Sequence, residues 1–263
     1  MQEVIRSSRQ VCLLVFVTIT LVLTAQAATF SNANLNGTYT FMGNRWTADV
    51  SAPQGGFIGV MSFDGAGNVT ESYTGMINGS LITGTYSGTY TVNPNGTGTL
   101  TYPGLQFTFV VNSTSAKIAH GIQLLGILNY GYNEVGTSTA LLQSTTANTY
   151  SAANLRGNFS FQYDEWTADP TQTYYAGNGL FSFDGKGNVR GSSSSMENGT
   201  LQTNTFTGTY TVNSDGSGTI SLSTGVQYAF VLNTVLGTFA HGFQFLQTNT
   251  TGNLAICGIA QSQ

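Results

Sequence analysis

The sequence predicts an all-β protein, built as two tandem antiparallel up-and-down β-barrels of about eight strands each. Three observations predict it. The chain repeats itself once, apolar residues recur with a period of two, and Asn-Gly or Asp-Gly dipeptides interrupt that alternation at regular spacing.

Residues 31–100 align with 151–220 without a gap, and 34 of those 70 positions are identical, too many for unrelated segments of similar composition. Trp46-Thr47-Ala48-Asp49 returns as Trp166-Thr167-Ala168-Asp169, and Phe63-Asp64-Gly65 returns as Phe183-Asp184-Gly185. After a one-residue offset near Pro103, Ala119-His120-Gly121 falls on Ala240-His241-Gly242. Two copies of this length make a domain duplication, because a solenoid needs shorter and more numerous units. Each copy is long enough to bury a core of its own.

Within a copy, Tyr86, Gly88, Tyr90 and Val92 alternate with Ser87, Thr89 and Thr91. Such alternation marks strands with one buried face. In the first copy strands are expected to begin near Gly37, Phe57, Asn68, Leu81, Gly98, Leu105, Lys117 and Val135. Asp64-Gly65, Asn78-Gly79 and Asn95-Gly96, with Asp184-Gly185, Asn198-Gly199 and Asp215-Gly216 in the second copy, supply the positive φ of tight turns. Short connections make consecutive strands antiparallel neighbours. Closing such a meander covers its edges. Two-sheet sandwiches are the alternative, and they call for the long crossovers of a Greek key.

Ahead of the repeats stands a segment of another kind. Arg6 and Arg9 precede an apolar run from Val11 to Leu23, and Ala25-Gln26-Ala27 then offers a small-residue cleavage site. That is the pattern of a signal peptide. The expected organisation is a signal peptide over 1–27, a first barrel over 28–143, a linker over 144–152 and a second barrel over 153–263. A secreted, periplasmic or extracellular protein follows, with no stable membrane insertion after cleavage.

Without residues 1–27 the chain keeps five basic and ten acidic residues, a formal charge of −5. No basic cluster is present, which excludes nucleic acid as a partner. Cys257 is the one cysteine left after cleavage, so no disulfide forms within the chain, and a small buried hydrophobe is its expected role.

Several motifs together resemble a known group. They are Gly37-x-Tyr39-x-Phe41, then Phe63-Asp64-Gly65-x-Gly67-Asn68-Val69, then Gly88-Thr89-Tyr90-Thr91-Val92-Asn93 with Asn95-Gly96-x-Gly98-Thr99 behind it. Each copy looks like a calycin-type barrel, the group that includes lipocalins, avidins and allene-oxide-cyclase-like barrels. The pattern also resembles repeats in secreted bacterial proteins of unknown function. The resemblance implies a lumen that side chains fill or that holds one small ligand.

Candidate residues follow from pattern and resemblance together. His120 and His241 are the only histidines and occupy equivalent positions. If the bulky face of Phe239, His241, Phe243 and Phe245 points inward, each histidine stands in an apolar lumen, able to act as acid or base or to orient a ligand. Trp46 with Asp49, and Trp166 with Asp169, pair an aromatic ring with a carboxylate near a barrel mouth. The lining of the first lumen is expected from Tyr39, Phe41, Phe63, Tyr86, Tyr90 and Phe107. That of the second is expected from Phe159, Phe161, Phe183, Phe206, Tyr210 and Tyr228.

One histidine per copy falls short of the three or four ligands of a transition-metal site, so no metal is expected. The Phe-Asp-Gly-x-Gly-Asn turns lack the spacing of an EF-hand loop, and no phosphate loop or nucleophile elbow occurs, so no cofactor is expected. The leading reading is a binding protein for a small apolar or aromatic molecule. The alternatives are a structural or interaction module of the extracellular space or envelope, and a cyclase-like enzyme whose candidate groups are His120, Asp49, His241 and Asp169.

Overall fold

The computed structural model describes residues 29–47, 55–112, 114–115, 117–128, 134–144, 149–166, 175–197, 199–236, 238–250 and 255–263. The signal segment expected over 1–27, together with Asp49 and Asp169, lies outside them, as do the side chains of Trp46 and Trp166.

The first copy folds as β1 (Asn36–Thr47), β2 (Gly55–Asp64), β3 (Asn68–Ile77), β4 (Ser80–Val92), β5 (Thr97–Tyr102), β6 (Leu105–Val111), β7 (Thr114–Ser115), β8 (Ile118–Ala119), β9 (Gly121–Leu128) and β10 (Glu134–Ser144). Strands β1 to β6, β9 and β10 close a barrel, each antiparallel to its neighbours, and β7 pairs with β8 apart from it. The second copy folds as β11 (Arg156–Trp166), β12 (Tyr175–Asp184), β13 (Asn188–Glu197), β14 (Thr200–Val212), β15 (Ser217–Leu222), β16 (Gln227–Leu236), β17 (Phe239–Gln247) and β18 (Ala255–Ser262). Its eight strands follow chain order around the barrel, and β18 returns to pair with β11. The fold is the pair of up-and-down barrels that alternation and turn spacing predict.

Local chemistry explains the turns. Asp64 ends β2, and one of its carboxylate oxygens accepts the backbone N–H groups of Ala66, Gly67 and Asn68, while the other accepts the Asn68 side-chain amide. Gly65 and Gly67 take the positive φ of 73° and 119° that this loop requires. These hydrogen bonds hold the Asp64 carboxyl down to about 2, and Asp184 repeats the arrangement with Asn188 and Lys186.

One end of each barrel is sealed by a short 3₁₀ turn, Asn32–Asn34 in the first and Ala152–Asn154 in the second. The Tyr90 hydroxyl is shared between the carbonyls of Leu35 at 2.8 Å and Asn32 at 3.1 Å, and Tyr210 does the same with Leu155 and Ala152. The Tyr39 hydroxyl donates to the Ala119 carbonyl at 2.8 Å. Leu35, Tyr39, Phe63 and Tyr90 are thereby packed into a solid plug.

The barrels also pack against each other. Ile58, Val60 and Met76 point out of the first barrel and meet Val231, Leu246 and Cys257 of the second in a separate apolar core. Gly56 sits in this contact, where a Cβ would overlap the Cys257 sulfur. The Gln143 side-chain amide donates to the Leu232 carbonyl at 2.8 Å, and that of Gln244 donates to the Thr139 carbonyl at 3.4 Å. Burial pushes the Cys257 thiol up to about 12, with the Asp164 carboxylate adding to it.

Candidate binding cavity of the first barrel

A cavity of about 200 Å³ opens in the first barrel, away from its 3₁₀ plug. The end of β1 at Arg45, the start of β2 at Phe57, the end of β3 at Ile77 and the start of β4 at Ile82 surround it. Its depth is set by Phe41, Met61, Tyr86, Phe107 and Leu124.

Glu71 brings a carboxyl group into this apolar space. Strand geometry dictates its direction, because Val69, Glu71 and Tyr73 share the inner face of β3, opposite Phe63, Met61 and Gly59 of β2. Burial raises the Glu71 carboxyl from 4.5 to about 7, and interaction with the Tyr102 hydroxyl pulls it back part of the way. Burial also raises the Tyr102 hydroxyl, and the charge of Glu71 reinforces the rise. Three tyrosines gather here. Tyr73 stacks on Tyr86 at 5.5 Å between ring centres, and Tyr86 lies 5.5 Å from Tyr102.

The second barrel holds rings at the same depth. Phe181 stands where the first barrel has Met61, and Phe245 where it has Leu124. Phe161 stacks on Phe181 at 4.2 Å, and Phe206, Tyr228, Phe243 and Phe245 close around the pair at 5.4–6.5 Å from Phe181. Glu71 is replaced by Gly191, over which the Phe206 ring lies so closely that a Cβ would strike it. At the mouth, the pair Gly43 and Phe57 is exchanged for Tyr163 and Gly177; the Tyr163 ring covers Gly177 of the facing strand, whereas the Phe57 ring covers Gly75 of β3.

These positions sort the sequence candidates. Tyr86 and Phe107 line the cavity. Tyr90 and Tyr210 do not, since their hydroxyls are committed to the 3₁₀ plugs; burial holds the Tyr90 hydroxyl up at about 12. Phe206 and Tyr228 belong to the packed core of the second barrel.

His120 and His241 require a correction, because both are exposed and neither enters a lumen. In the first copy His120 sits at the bend between β8 and β9, and Ala119 takes the buried place. In the second, Ala240 and Phe243 both pack in the core, so the two-residue alternation breaks between them and His241 is left outside. The placement of Trp46, Trp166, Asp49 and Asp169 relative to a ligand falls outside the described residues.

Glu71, Tyr73 and Met61 were missed by looking for what the copies share. The signal that finds them is difference. An acidic residue occupies an inward position of β3 in one copy, and glycine occupies it in the other.

No protein family matches the chain, and no curated protein matches it. Solved structures do. A protein of unknown function from the DUF3598 family of Nostoc punctiforme is 12% identical, with 88% of this chain and 98% of that one covered at a TM-score of 0.29. An AttH-like protein of Nitrosomonas europaea is 8% identical, with 85% and 92% covered at a TM-score of 0.25. At this distance neither bears on function. Fold and site together define a class, a tandem two-barrel protein with an apolar cavity in its first barrel and, among the described residues, a single inward carboxyl there.

Proposed function

We propose that the first barrel binds one small apolar or aromatic molecule and that the second barrel is its rigid support. The observation that carries this reading is the contrast between copies: one scaffold, open in the first and filled with phenylalanine rings at the same depth in the second. An empty apolar cavity costs stability roughly in proportion to its volume, at about 24 cal/mol per Å³. The second copy shows that two large side chains remove the space without disturbing the fold. A cavity of about 200 Å³ suits a single substituted ring; an engineered apolar cavity of about 150 Å³ in another protein binds benzene. The resemblance of the sequence motifs to calycin-type barrels supports such a role, and the signal-peptide pattern of the N-terminal segment supports a location outside the cytoplasm.

Met61→Phe tests the proposal by copying Phe181 into the first barrel. Calorimetry with benzyl alcohol is expected to show saturable binding to the parent chain and at least a tenfold loss in the variant, with the circular dichroism spectrum unchanged. Equal binding by both proteins refutes the cavity as the site.

A further inference from the structure

The ligand class follows from what surrounds the cavity's carboxyl group. Glu71 faces Tyr86 across the β3–β4 pairing and lies among Tyr73, Tyr86 and Tyr102. In the second copy the four equivalent positions are Gly191, Ser193, Phe206 and Leu222. The barrel therefore closes without a carboxylate or any of the three phenol rings, and the fold does not account for them.

A carboxylate withdrawn from water is unfavourable unless a counter-charge meets it. Burial and the Tyr102 hydroxyl set the proton affinity of Glu71, and no cation among the described residues enters that balance. Among the described residues, the titratable and charged groups around Glu71 and the cavity are Arg45 on β1, Tyr73 on β3, Tyr86 on β4 and Tyr102 on β5. Tyrosine ring faces attract cations through their quadrupole, most strongly where water is excluded.

We propose that the first barrel takes a small organic amine, its hydrocarbon body against Phe41, Met61 and Phe107 and its ammonium group between the Glu71 carboxylate and the rings of Tyr73 and Tyr86. This rests on the binding role proposed above and names its ligand class. Because an ammonium ion selects the ionised carboxylate, binding below neutrality releases the Glu71 proton. Affinity for an amine therefore rises with pH until Glu71 is ionised in the free protein and then levels off, while a neutral ligand of the same shape shows no such rise.

The test is calorimetric titration of the full chain with benzylamine, benzyl alcohol and benzoate at pH 6 and pH 8. At pH 8 benzylamine is expected to bind at least about tenfold more tightly than the alcohol, as a charge-assisted contact implies. Glu71→Gln should bring it down to the level of the alcohol on the same variant. Equal affinity for amine and alcohol, tighter binding of benzoate at Arg45, or an amine affinity indifferent to Glu71→Gln overturns the amine assignment and leaves the cavity's binding role standing. If none of the three compounds binds the parent chain, both readings fall.

Discussion

Replacing Glu71 by glutamine should make the protein more stable at pH 8 and leave it nearly unchanged at pH 5. Unfolded, this carboxyl titrates near 4.5; in the barrel it titrates at about 7. Between those values the native state holds a proton that the unfolded chain has already lost. Stability therefore falls as pH rises through the window and stays lower above it. The difference corresponds to about 3 kcal/mol, a shift in Tm of about 2–4 °C per kcal/mol for a chain of this size. Glutamine has nearly the same shape and no charge, so the variant lacks this dependence. Urea unfolding of both proteins at pH 5 and pH 8, with the slopes compared to confirm an unchanged unfolded state, measures the effect. The two aspartate turns do not interfere, because their titration lies at lower pH. Parent and variant losing the same stability between pH 5 and pH 8 would refute the reasoning, since the loss would then belong to other groups.

Other consequences are open to the same methods. Phe181→Ala in the second barrel removes a ring in contact with six other aromatics and should cost about 3–5 kcal/mol by urea unfolding. Tyr90→Phe strands a buried carbonyl at the 3₁₀ plug and should cost about 1–3 kcal/mol, with Tyr210→Phe matching it because the geometry is repeated. Asp184 is held below its unfolded value, so its stabilisation is present above about 4 and is lost as pH falls through about 2; in Asp184→Ala, acid unfolding over that range should be less steep than in the parent. Cys257 should resist iodoacetamide at pH 8 in the native protein and react fully in urea, as read from the mass of its peptide, because burial raises its thiol to about 12.

Much of the architecture was legible because strand alternation and turn chemistry are local. Asn78 and Gly79 at φ of 48° and 72° form the tight turn that an Asn-Gly pair announces. Inward positions such as Tyr39, Phe63 and Tyr90 followed from their period of two. The histidines failed for the same reason that the strands succeeded. Alternation assigns a face only while it holds, and it breaks beside Ala240.

The contact between barrels was also hidden. On β2 the outward residues Ile58 and Val60 are buried along with inward Met61 and Phe63, so a strand with two apolar faces reads as one with a ragged pattern. The cavity was invisible for a different reason. Whether a lumen is filled depends on ring sizes summed across strands far apart in sequence, as with Met61 and Leu124 against Phe181 and Phe245.

The packing of one barrel on the other has a symmetry that bears on how one chain can meet another. The contact is heterologous: β10, β1, β2 and β3 of the first copy meet β16, β17 and β18 of the second, and no pair of equivalent strands is among the main contacts. A heterologous contact does not close on two members, and repeated without rotation into a ring it builds a filament. Each copy therefore leaves unused part of the face that its twin puts into the joint. On the first barrel it includes Val110 and Leu125, the counterparts of Val231 and Leu246, and both are exposed. On the second, Gln162 and Asn178 replace Met42 and Ile58. Thr137 likewise replaces Cys257 on the first. Polar side chains thus interrupt each unused face, through Gln162 and Asn178 on the second barrel and Thr137 beside exposed Val110 and Leu125 on the first. Gln162→Met with Asn178→Ile is accordingly expected to raise concentration-dependent self-association above that of the parent chain in sedimentation velocity, one chain docking on the next as one barrel docks on the other.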